Sequence, residues 1–233
     1  MHLPRSWGRP QWRRQASVAS RSRVARIYVL AGTNGGGKSS IGGAMLVAQG
    51  TDYFNPDLAA ARIRAANPEL SQAESQSAAW FEGKRLLERA ITERLDYAFE
   101  TTLGGTTIPA LLEQALAEGI EVRIWYVGLA SADLHVARVR SRVARGGHDI
   151  PEDKIRERYA HSLLNLIRLL PKLTELRMYD NSHEGDPHTG AAPQPRLIIH
   201  CKRRRIVTAC DLRSTPDWAK PVVLSALRIA ADS

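Results

Sequence analysis

Apolar residues recur along the chain with two different periods. Ile27 to Ala31, Tyr97 to Thr102 and Glu121 to Gly128 are short runs rich in β-branched and aromatic side chains, as in buried strands. Arg177 to Asn181 reads as the last central strand. Between them, apolar positions return every three or four residues, as on helices that face a core. A helix over Leu58 to Ala65 stops at Asn67-Pro68. Ser71 to Leu95 forms a long helix that turns Ala79, Leu86, Leu87 and Ile91 inward, and Ile108 to Glu118 forms one closed by Gly119. Thr51 to Asp57 reads as a short second strand broken by Pro56, with Asp57 a good N-cap for the helix that follows. This alternation predicts an α/β fold, a kinase-like parallel sheet with helices on both faces.

From Ser131 to Leu170 the pattern changes. The stretch is helical and dense in arginine, and Gly146-Gly147 and Pro151 interrupt it, so it reads as two helices with a hinge, the shape of a lid. Ser182 to Pro195 is a polar loop. Leu197 to Cys201 and Ile206 to Cys210 suit a hairpin around Lys202 to Arg205, and a last helix spans Pro216 to Ala231. No apolar run approaches the roughly 18 residues of a membrane span, and no secretory segment opens the chain. Two cysteines make neither a disulfide framework nor a zinc site, and a reducing cytoplasm is the expected location.

Charge is unevenly spread. Of the formal net charge of +9, residues 1–26 contribute 7, with seven arginines and no acid; the other 207 residues carry 26 basic and 24 acidic side chains, a balance of +2. Residues 1–25 therefore read as a basic, disordered leader and residues 26–233 as one kinase domain with its lid near 131–170. The leader leaves four readings open: contact with nucleic acid, a transit-like peptide, a weakly selected tail, or an extension set by start-codon choice, with the bland readings favoured over nucleic acid.

Candidate chemistry begins at the end of the first strand. Gly32 to Ser39 match G-x-x-x-x-G-K-[ST], a phosphate-binding loop between a strand and a helix that starts near Lys38 and carries Ile41, Ala44, Met45 and Val47 on or near its inner face. Backbone amides of Gly32, Asn34, Gly35, Gly36, Gly37, Lys38, Ser39 and Ser40 can curl around phosphate, and the helix N-terminus adds its dipole. Lys38 would reach the β- and γ-phosphates of ATP, and the Ser39 hydroxyl would ligate Mg²⁺.

A GTPase would show N-K-x-D, and an ABC-type ATPase an apolar run ending in Asp-Glu and an L-S-G-G-Q signature; neither pattern is present. Small-molecule kinases need less: the loop, an acid near the second strand, and lid arginines to neutralise charge. Asp57 is placed to orient an acceptor hydroxyl and take its proton, or it is only a helix cap. Glu100, Thr101 and Thr102 end the next strand at the same edge and suit a polar substrate, or Glu100 is an ion-pair partner and the threonines are strand formers. Arg142, Arg145 and Arg158 flank the hinge, where closure would bring both sides onto phosphate.

These pieces together resemble the zeta toxin family of P-loop kinases. The resemblance rests on Ala31 to Ser40, Asn55-Pro56-Asp57, Phe99 to Thr102, the lid stretch Arg142 to Pro151 with Ile155, Arg158-Tyr159 and Ser162-Leu163, and Tyr179 to Ser182. It covers about Arg26 to Ser182, with Thr33 where the family's loop commonly has proline. The resemblance implies that Lys38 and Ser39 bind phosphate and Mg²⁺, that Asp57 is the catalytic acid, that Glu100 and Thr102 bind substrate, and that Arg145 and Arg158 stabilise the transition state, with Arg142 a substitute for Arg145. It further implies a small-molecule acceptor, the sugar hydroxyl of UDP-N-acetylglucosamine in characterised members, and an antitoxin protein that blocks the triphosphate site. Two other functions fit the residues: a housekeeping or resistance kinase for a nucleoside or antibiotic, and an ATP-binding module whose leader meets nucleic acid.

Overall fold

A computed structural model describes residues 24–38, 53–183 and 194–232. The expected leader, the body of the helix after Lys38, and Ser39 and Ser40 lie outside the described residues.

Among the described residues the sheet has six strands in the order β2-β1-β3-β4-β5-β6: β1 (Arg26–Ala31), β2 (Tyr97–Thr101), β3 (Glu121–Gly128), β4 (Glu175–Asp180), β5 (Arg196–Lys202) and β6 (Arg205–Ala209). The pairs β1–β2, β1–β3 and β3–β4 are parallel. Beyond β4 the sheet turns antiparallel, because the expected hairpin adds to its edge rather than standing apart. The expected second strand is reduced, among the described residues, to one parallel bridge between Phe54 and Phe99. Phe54 donates to the Ala98 carbonyl and accepts from the Glu100 amide, and Pro56 ends the extension at once.

The α-helices among the described residues are six: α1 (Pro56–Ala66), α2 (Gln72–Thr92), α3 (Thr107–Ala117), α4 (Ala132–Val143), α5 (Glu152–Leu169) and, after the last strand, α6 (Lys220–Ala231). Ser71 starts α2 with a capping box: its hydroxyl accepts from the Glu74 amide, and the Glu74 carboxylate accepts from the Ser71 amide. Glu82 and Arg85 pair on the solvated face of α2, as their spacing predicts. The lid stretch is the expected pair, α4 and α5, broken at residues 144–151.

Side-chain alternation sorts the core. Ile27 and Val29 of β1, Phe99 of β2 and Ile124 of β3 join one cluster with Leu87 and Ile91 of α2, Leu112 of α3, Leu166 of α5 and Val222 of α6. Tyr28, Leu30, Ala98, Trp125, Val127 and Tyr179 form a second cluster on the opposite face, where Tyr28 stacks on Trp125. With Val29 and Leu30 both fully buried, β1 is covered on both faces. All four parallel strands run the same way, so their C-terminal ends share one edge, where such sheets bind ligands. Among the described residues no helix is long and apolar enough to cross a membrane.

The β5–β6 turn places Arg203 and Arg204 at φ of 47° and 66°, the positive values that a two-residue hairpin turn requires. A Cβ pays for that conformation, so Arg204→Gly should stabilise the fold by up to about 1 kcal/mol, less the extra entropy glycine gives the unfolded chain. Urea denaturation is the check, and a destabilised variant would show that the turn carries no such strain.

Candidate active site

Most of the expected residues lie along the sheet edge. β1 ends at Ala31, and Gly32 begins the loop with φ of 136°. A Cβ there would stand 2.0 Å from the Val127 carbonyl oxygen, so the loop leaves the sheet against β3 at a distance only glycine permits. Lys38 is 6% exposed. Its Nζ donates to the Thr33 carbonyl at 3.3 Å and lies 3.5 Å from Glu100 Oε1. Glu100 Oε2 in turn accepts from Asn55 Nδ2 at 3.0 Å.

Asn55 corrects one expectation. The N-cap of α1 is Asn55, not Asp57: its Oδ1 accepts from the amides of Asp57 and Leu58, and Pro56 takes the first helical position. Asp57 is thereby released from capping. Its half-exposed carboxylate faces Arg142 Nη1 at 3.7 Å. It lines a cavity of about 200 Å³ together with Asn34, Gln76, His148, Lys154 and Arg158.

The lid arginines divide. Arg158 Nη1 donates to Asn34 Oδ1 at 2.9 Å, which ties α5 to the phosphate loop. Arg142 donates to the His148 carbonyl at 2.8 Å while facing Asp57. Arg145 does not join them: it is exposed and donates to the Ser141 carbonyl one turn back. Thr102 sits at the end of β2, where its carbonyl accepts from Ser162 Oγ at 2.7 Å and its hydroxyl accepts from the Gly104 amide.

Several contributors escaped sequence reasoning. Gly104 lets α5 come close: a Cβ there would lie 2.9 Å from the Arg158 Cα. Asn165 ties the same turn to α5 through the carbonyls of Leu103 and Gly105. His148 meets the Gln72 side chain, and burial holds its imidazole below the ordinary histidine pKa. His135, 1% exposed, places Nδ1 2.7 Å from the Asn34 carbonyl and meets Tyr159 edge-on. Asn55 had a legible signal, an Asx residue before proline at a helix start. His135 had none, since a histidine on the apolar face of a helix reads as core.

A mixed α/β sheet with a phosphate loop at the end of its first strand, faced by an arginine-bearing helix pair, is the P-loop kinase fold. The zeta toxin family model matches residues 11–184, and the chain belongs to that family. Membership makes it a kinase-type phosphotransferase. A protein of Haemophilus influenzae is 30% identical over 135 residues, 55% of this chain and 88% of that protein. In fold the chain is similar to the crystal structure of AvrRxo1-ORF1:AvrRxo1-ORF2 with sulphate ions, at a TM-score of 0.62 and 12% identity over 90% of this chain and 76% of that one. The AvrRxo1-ORF1:-ORF2 structure with ATP gives 0.59 and 13%, over 88% and 64%.

Burial depresses the His135 pKa to about 4. Between that value and the ordinary 6.5 or so, the unfolded chain binds a proton that the folded protein refuses, so this group's contribution to stability falls as pH drops through the window, by up to ~3 kcal/mol. Urea titrations across that range should show a steeper acid loss in the wild type than in His135→Asn. Equal slopes would mean that His135 is not held neutral by folding.

Proposed function

We propose that the chain is a Mg·ATP-dependent kinase that phosphorylates a hydroxyl of a small metabolite, acting as a zeta-type toxin with a UDP-N-acetyl sugar as its first acceptor to test. The observation that carries the reading is the buried Lys38–Glu100 pair at the sheet edge, beside a cavity that Asn34, Asp57 and Arg158 line.

The residues present fit a triphosphate. Gly32 lets the loop leave β1 packed closely against β3, and Lys38 supplies a buried cation bonded to the loop's own Thr33 carbonyl. Among the described residues no group of three or more His, Cys, Asp or Glu side chains could hold a metal. That suits Mg²⁺, which is usually bound through phosphates with few protein ligands; the sequence offers the Ser39 hydroxyl. The likeness in fold to a protein crystallised with ATP supports the same cofactor.

When bound, Mg·ATP supplies the phosphoryl group. The chain's own residues position and neutralise. Lys38 and the loop amides hold the β- and γ-phosphates. Arg158 is held beside Asn34 of the loop, where its guanidinium would neutralise charge on the transferred group. Arg142, in the last turn of α4, faces Asp57, where it can bind the nucleotide or steady the carboxylate, and Arg145 would join only if the lid loop moved. Asp57 takes the proton of the acceptor hydroxyl, with Glu100 and Thr102 lining its approach. A protein partner that blocks this site, as an antitoxin does, accords with the partnered state of AvrRxo1-ORF1.

Purified protein with labelled ATP and UDP-N-acetylglucosamine should give a phosphorylated sugar nucleotide. A nucleoside or antibiotic as the preferred acceptor would keep the kinase and replace the toxin. Lys38→Ala should abolish transfer in a folded protein. Asp57→Asn should keep nucleotide affinity and lose about 10²–10⁴ in turnover; unchanged turnover would falsify the assignment of Asp57 as base. Arg158→Ala at saturating substrates should lower kcat more than it raises KM for ATP, as expected of a group that acts on the transition state. A near-normal kcat would remove Arg158 from the catalytic set.

A further inference from the structure

In a trans peptide the carbonyl and the N–H of the next residue lie in one plane and point in opposite directions. To fix a carbonyl is therefore to aim an amide. Two carbonyls of the phosphate loop are fixed from outside by buried side chains. The imidazole of His135, on α4, meets the Asn34 carbonyl at 2.7 Å. Asn181, just past β4, donates Nδ2–H to the Gly36 carbonyl at 3.0 Å. Both side chains are buried, with 1% and 6% of their surface exposed.

The chemistry of each contact is unambiguous. A carbonyl only accepts, so the His135 proton sits on Nδ1. The neutral state follows from burial, which pushes the pKa down to about 4. The Asn181 Oδ1 has no partner among the described residues, so the Gly36 carbonyl decides which way the amide group faces. Its own backbone N–H is anchored on the Gly128 carbonyl, so the side chain hangs from the sheet. The peptides so held are the ones that carry the N–H groups of Gly35 and Gly37. Both glycines take positive φ, 81° and 83°, while the Gly36 N–H between them is engaged by the Thr33 carbonyl at 3.1 Å.

We propose that His135 and Asn181 are positioning residues that hold the Asn34 and Gly36 carbonyls outward, so that the Gly35 and Gly37 amides face the triphosphate. This rests on the phosphate-loop reading above and adds two residues to it from separate elements. The loop is thus oriented by α4 and β4, not by its glycines alone. A glycine-rich loop left to itself has too much freedom to hold two amides toward one anion, and a fixed donor pair removes that entropy before ligand arrives.

The test is calorimetric titration of ATP and of adenosine into the full chain, for the wild type, Lys38→Ala, His135→Phe, His135→Asn and Asn181→Ala, each checked by thermal melting. His135→Phe keeps the ring and removes the donor; His135→Asn puts an N–H near the place of Nδ1. We expect His135→Phe and Asn181→Ala each to weaken ATP binding by roughly tenfold. His135→Asn should recover most of the loss, and adenosine affinity should not move. ATP affinity unchanged in His135→Phe and Asn181→Ala, with Lys38→Ala weakened, overturns the positioning role and leaves the phosphate loop standing. If Lys38→Ala also binds ATP like the wild type, the phosphate reading fails and the proposal falls with it. Equal losses for ATP and adenosine would mark general damage and also count against it. Should His135→Phe not fold, His135→Gln, whose donor is displaced by a methylene, takes its place: weaker ATP binding than in His135→Asn supports the role, and equal binding overturns it.

Discussion

Lys38 carries its charge where water scarcely reaches, and the ion pair it makes there organises the sheet edge. A buried ammonium is costly unless an opposite charge and hydrogen bonds replace its hydration. Glu100 supplies the charge from the end of β2, and the Thr33 carbonyl supplies an acceptor from the loop itself. Glu100 is held in turn by Asn55, whose other amide atom caps α1. One side chain therefore couples the neutralisation of Lys38 to the start of the helix that carries Asp57. Removal of Glu100 would leave a buried cation uncompensated, and loss of Asn55 would disturb both the ion pair and the helix.

The lid is fastened to the same edge from the other side. α5 closes on the turn after β2 through Ser162, Asn165 and the bare backbone of Gly104, and Tyr126 of β3 donates to Ser162. These contacts fix the height of Arg158 above the phosphate loop. Asn34 receives both lid helices: α4 through its carbonyl and α5 through its side chain.

Much of this could be seen in the chain before the fold was known. The alternation of periods located β1, β2, β3 and both lid helices, because hydrophobic spacing is a local property of a backbone that buries one face or two. The phosphate loop was legible because its chemistry is a contiguous pattern. Asp57, Glu100 and Arg158 stand out in the sequence because each falls at an expected strand end or past an expected hinge, where topology leaves few places to go. The second strand was overestimated: Phe54 pairs through a single rung, and Pro56 ends it. The cap was given to Asp57 although Asn55 stands before the proline. The sheet was expected to be parallel, and the hairpin of β5 and β6 extends it antiparallel.

The sequence by itself determined the order of elements, the phosphate loop and the residues able to bear charge beside it. These are written in consecutive residues, and backbone geometry and solvent sort them without reference to distant parts of the chain. Tertiary structure alone decided their company. Lys38 meets Glu100, Arg158 meets Asn34, and His135 meets a loop carbonyl more than a hundred positions away. It also left Arg145 outside the cluster that Arg142 and Arg158 join. Such pairings depend on which helix packs against which strand end, and on how close a glycine lets them come. No spacing along one segment encodes a distance between two.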